Sequence, residues 1–126
     1  MTIRRIIAAA VTTRVLFTLF LAFSYAQVAT PNVKQSDKVL FGRAMTAMQK
    51  SEYVAARTLL ETLIKSHPDS DYVPRAKLSI ADAWYAEGAF KQAEVEYRDF
   101  IIFFPDRPEV AQAQLKINSI HKKAKS

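Results

Sequence analysis

Cysteine is absent from all 126 residues. Without a thiol there is no disulfide, no cysteine nucleophile, no thiolate zinc site and no lipid attachment through cysteine. Glycine is nearly as scarce, with only Gly42 and Gly88. Sandwiches and barrels need many tight turns at positive φ, so this scarcity argues against them. It also removes any glycine-rich phosphate cradle, and with it nucleotide binding by a Walker or Rossmann loop. Histidine is limited to His67 and His121, and neither stands among acids at metal-ligand spacing. Acidic residues are missing from the first 26 positions, where Arg4, Arg5 and Arg14 lie. Half of the formal charge of +6 therefore belongs to that opening segment. Part of the rest is Lys116, Lys122, Lys123 and Lys125 near the C-terminus. Cations there complement a helix dipole, a reading preferred over contact with nucleic acid or anionic lipid.

What the opening does contain is an address. Positive charges up to Arg14 precede the apolar block Val15 to Phe23, and Ser24-Tyr25-Ala26 puts small residues at −3 and −1. This is the layout of a secretory signal peptide, residues 1–26, with cleavage expected after Ala26. Extending the apolar stretch back to Ile6 would place Arg14 within a bilayer, at about 2.5–3.5 kcal/mol on insertion scales. An uncleaved anchor is the competing reading. Residues 27–36 lack periodicity and read as a flexible leader, followed by a helical domain over 37–126.

That domain repeats itself every 37 residues. The offset pairs Pro68 with Pro105, Ala44 with Ala81, Tyr53 with Phe90, Ala56 with Ala93 and Leu60 with Tyr97. It also pairs Ser51 with Gly88 in the short turns, and Leu78 with Leu115 and Ile80 with Ile117 in a third, incomplete unit. Apolar periodicity predicts helices over about 37–50, 53–66, 72–87, 90–104 and 108–123. Ser70 or Asp71 is expected to cap the third, with Pro74 in its first turn, and Asp106 with Glu109 to form a capping box for the last. Small residues facing bulky ones at fixed offsets are the tetratricopeptide (TPR) signature. The predicted fold is all-α: about two and a half TPR-type helical hairpins in a short right-handed solenoid. Ala44, Tyr53, Ala56, Leu60, Ala81, Trp84, Phe90, Ala93 and Tyr97 are its expected packing residues.

No catalytic, cofactor or metal site emerges from the residues. His67 before Pro68 suits a helix C-terminus. His121 stands where Trp84 stands one unit earlier, so partial packing is expected of it. Glu94 with Arg98, and Glu87 with Lys91, read as solvated i,i+4 pairs. Trp84 and Phe100 are expected in the core, Tyr85 and Phe103 partly exposed. Leu115, Ile117 and Ile120 should pack the last helix on the second repeat. Inner helices of a solenoid line its concave face. Arg43, Thr46 and Lys50 on the first helix and Lys77, Asp82 and Tyr85 on the third are the candidate protein-binding face.

The run His67-Pro68-Asp69-Ser70-Asp71-Tyr72, then Ala76, Leu78, Ala81, Trp84, Tyr85, Gly88, Phe90, Ala93 and Tyr97, then Phe100-Ile101, Phe104-Pro105 and Pro108, resembles the TPR region of BamD-like outer-membrane assembly lipoproteins. The resemblance spans about Leu40 to Ile120. It implies a periplasmic, non-enzymatic scaffold that binds a BamA-like barrel component and receives unfolded outer-membrane proteins. With no cysteine to acylate, membrane association is expected only through partners or an uncleaved signal segment. Two departures stand out: the lipobox cysteine is missing, and the repeats number two and a half where the family usually has about five. The first alternative is a soluble periplasmic TPR adaptor of the CpoB type. A basic nucleic-acid-binding helical protein is the second, opposed by the export signal.

Overall fold

The computed structural model describes residues 35–126. The expected signal peptide and the leader up to residue 34 lie outside the described residues. Gln35 and Ser36, the last two leader positions, belong to the compact helical unit. Its helices are α1 (Asp37–Gln49), α2 (Tyr53–Ser66), α3 (Val73–Ala86), α4 (Phe90–Phe103) and α5 (Val110–Ala124). No strand occurs among the described residues. Packing is extensive between chain neighbours, α1 on α2, α2 on α3, α3 on α4 and α4 on α5. This is the all-α hairpin repeat that the 37-residue offset predicts.

The alanines explain why the helices approach closely. Ala44, Ala56, Ala76, Ala81, Ala93 and Ala113 are wholly buried, and all but Ala56 belong to the two apolar clusters in which the helices meet. Leu40, Phe41, Leu60, Leu63 and Ile80 join α1, α2 and α3. Leu78, Tyr97, Phe100, Ile117 and Ile120 join α3, α4 and α5. Trp84 touches both clusters and bridges them. Tyr53 and Phe90 are half-buried at equivalent places.

The turns repeat as faithfully as the helices. Residues preceding proline avoid the α region, so α2 ends at His67 (φ −136°, ψ 62°) and α4 at Phe104 (φ −131°, ψ 53°). After each, the backbone winds identically: Ser70 N–H to His67 O recurs as Arg107 N–H to Phe104 O, and Val73 to Ser70 recurs as Val110 to Arg107. The hairpin turns place Ser51 (φ 60°) and Gly88 (φ 82°) in the left-handed region. Ser36 caps α1 by accepting from Val39 N–H at 3.3 Å. Ser70 Oγ accepts from Tyr72 N–H at 3.1 Å just before α3, and Pro74 lies in its first turn. The expected capping box of α5 does not form. Pro108 and Glu109 belong to the entering turn, and Glu109 already has helical dihedrals and makes no side-chain cap bond. A capping box needs an extended cap residue, which this turn denies.

Candidate functional site

An open groove of about 540 Å³ lies between α1 and α2. Arg43, Thr46 and Lys50 all line it, with Lys38, Gly42 and Leu59 among their neighbours. The repeat register explains what this surface is. Val39, Arg43 and Thr46 stand 37 residues before Ala76, Ile80 and Ala83, which stand 37 before Ala113, Ile117 and Ile120. On α3 and α5 these positions are buried; on α1 Val39 is half exposed, and Arg43 and Thr46 are exposed. The α1 candidates thus occupy the face on which helices stack in the rest of the molecule. Arg43 Nη1 donates to Gln35 Oε1 at 2.7 Å, and Thr46 Oγ1 donates to Gly42 O at 3.1 Å.

The α3 candidates do not converge on one surface. Lys77 lines a depression shared with Glu61, Lys65 and Glu96, reaching from α2 across to α4. Asp82 accepts a hydrogen bond from the Tyr97 hydroxyl. Tyr85 faces α5: its hydroxyl lies 3.1 Å from Ser119 Oγ, with Lys116 and Lys123 ammonium groups 4.3 and 4.9 Å from its ring centroid. The Ser119 hydrogen bond, then Lys123, lowers the Tyr85 phenol below its ordinary pKa. Tyr85, Trp84 and Phe90 are half-buried, whereas Phe103 is 67% exposed.

A buried arginine escaped the sequence reading. Arg57 on α2 is buried, its guanidinium 3.6 Å from the centroid of the Trp84 ring and bonded to the Glu87 carboxylate. Glu87 therefore pairs across the repeat boundary with Arg57 and not with Lys91 among the described residues. The signal was present in the offset: Arg57 maps onto Glu94 and Trp84 onto His121, and this second pair also meets, Nε2 to Oε1 at 2.8 Å. The same contact is a cation on an indole in one repeat and a carboxylate on an imidazole in the next. His121 is accordingly exposed rather than packed. Glu94 also bonds Arg98 at 2.7 Å, and these two partners hold its carboxyl below the ordinary range, His121 contributing most. Leu115 is a further correction: it is 68% exposed while Ile117 and Ile120 are buried. Its equivalent Leu78 is covered by α4 residues, and among the described residues no helix follows α5 to cover Leu115.

His67 caps α2, with Nε2 2.8 Å from Gln35 O. Asp37 accepts from Ser70 Oγ at 2.6 Å, which lowers its pKa and ties α1 to the α2–α3 connection. Among the described residues no group of three His, Asp or Glu side chains is placed to hold a metal ion, and no helix is long and apolar enough to cross a membrane.

Comparison with known proteins agrees with this architecture. No curated protein matches the chain. The profile of a family described as outer membrane lipoprotein, YfiO, matches residues 33–120, from just before α1 to the buried Ile120 of α5. The chain belongs to this BamD-like outer membrane lipoprotein family.

Proposed function

We propose that this protein is a non-enzymatic scaffold at the periplasmic face of the outer membrane, binding other proteins during β-barrel assembly. Family membership over residues 33–120 carries the reading. The helical repeat supports it, because stacked hairpins present extended side-chain surfaces to partners. Partners of the expected kind are a BamA-like barrel component and unfolded outer-membrane proteins. Arg43, Thr46 and Lys50 are the contact candidates that share one groove; Lys77, Asp82 and Tyr85 are separate candidates. The basic and apolar opening ending at Ala26 supports export. Attachment to the membrane through a partner fits a sequence with no cysteine to acylate.

The test is an affinity pull-down of the tagged chain from detergent-solubilised envelopes, read by mass spectrometry. Recovery of a BamA-like barrel component above a scrambled-sequence control is the expected result. Recovery of other periplasmic proteins with no barrel component would refute the assembly role. It would leave a soluble periplasmic TPR adaptor, the reading that the missing cysteine favours.

A further inference from the structure

We propose that the α1/α2 groove docks an acidic amphipathic helix from a partner protein, in the position that α2 holds on α3 and α4 holds on α5. This goes beyond the barrel-assembly reading, since it needs only the repeat geometry and the charges around the groove. Two precedents for the docked helix lie within the chain. On α3, Ala76 and Ile80 are covered by Leu60 and Leu63 of α2. On α5, Ala113, Ile117 and Ile120 are covered by Tyr97 and Phe100 of α4. The equivalent face of α1 carries half-exposed Val39 with exposed Arg43 and Thr46, and buried Ala47 and part-buried Leu59 lie beside them in the groove.

Gly42 is the second observation. It sits in the middle of α1, where glycine is the least favourable residue but proline. Unlike Gly88 it has no positive φ to justify it, and a Cβ there would meet nothing within 4 Å. Neither turn geometry nor packing within the described residues calls for glycine. Close approach of another backbone does.

Charge selects the occupant. Lys38, Arg43 and Lys50 rim the groove against a single acid, Glu52, and none of the three pairs with a carboxylate among the described residues. A docked helix with glutamates flanking its apolar stripe would neutralise all three.

The probe is a hydrocarbon-stapled peptide with the sequence of residues 53–66 carrying Arg57→Glu and Lys65→Glu, titrated into the full-length chain by fluorescence anisotropy. The control peptide carries Glu61→Lys instead. The acidic peptide is expected to bind at least tenfold more tightly, and Arg43→Glu with Lys50→Glu in the protein should reverse that order. Gly42→Leu should weaken the acidic peptide at least tenfold while the melting temperature stays level or rises, because leucine favours the helix. Equal affinity for both peptides, indifference to the charge reversal, or no binding to the full chain would overturn the proposal. So would equal binding by an unstapled peptide broken with interior prolines. If the charge-reversed protein still recovers a barrel component while the peptides fail, only the docked helix falls and the assembly reading stands.

Discussion

Single residues show where this chain departs from its own repeat. Ser51 and Gly88 share one left-handed turn position, but serine pays a steric penalty there that glycine does not. Ser51→Gly should therefore raise stability by about 1 kcal/mol, and Gly88→Ala should lower it by about 1 kcal/mol, both read from urea midpoints. The Ala side chain at 88 meets no neighbour, so its penalty is purely conformational. Arg57 is a different case, since its guanidinium both covers Trp84 and satisfies Glu87. Arg57→Ala should destabilise by about 2 kcal/mol, and Arg57→Met by about half of that because an apolar stem still covers the indole. Equal losses for the two variants would show that charge alone matters. Tyr97 carries a pH signature. Burial, then the hydrogen bond to Asp82, raises its phenol far above the ordinary 10.0. A raised folded-state pKa contributes stability that is complete below pH 10 and is lost as pH climbs past it. Tyr97→Phe should cost about 1.5 kcal/mol at pH 7, and its gap from the parent should narrow above pH 10.

Elements are joined by polar clasps as well as apolar faces. Glu94 ties α4 to α5 through His121, and its depressed pKa fixes the sign of the effect. A lowered folded-state pKa contributes stability above the ordinary glutamate value of 4.5 and loses it as pH falls below. Glu94→Gln should therefore melt below the parent at pH 7, and the two melting temperatures should converge near pH 3. A constant offset across that range would contradict the clasp. His121 and Arg98, the two partners of this carboxylate, are exposed, so the effect is small. The helix ends follow local rules more closely: prolines at 68 and 105 stop α2 and α4, and Ser36 starts α1. Asp37 and Ser70 then fasten that start to the α2–α3 connection.

At the scale of the whole described unit, contacts run between neighbours and cooperativity depends on what bridges the two cores. Trp84 is that bridge, touching both clusters and stacked by Arg57. Trp84→Ala should uncouple α1–α2 from α4–α5, as expected when stability is a sum of repeat and interface terms. Hydrogen exchange should then report two protection levels in the variant and a single one in the parent. Uniform protection in the variant would place the coupling elsewhere in α3. The two end faces, one with Arg43 and Thr46 and the other with Leu115, mark where stacking is open among the described residues.

Much of this was legible in the primary sequence because repetition is a one-dimensional property. Apolar periodicity located all five helices to within two residues, and the 37-residue offset located the two short hairpin turns and the paired alanines. Helical periodicity and proline stops act locally, so no tertiary knowledge was needed for them. What the linear chain could not disclose was which neighbour a polar side chain would choose. Glu87 had Lys91 one turn away, yet reaches Arg57 because stacking brings α2 beside the end of α3. Arg43 and Thr46 read as inner-face residues until the fold placed them on the stacking face, at the positions of Ile80 and Ala83. Leu115 looked like core because its equivalents are core; only the tertiary structure decides whether a helix lies above it. Identity of fold resides in the spacing of residues along the chain, whereas the chemistry of a surface depends on which spacings are brought together in space.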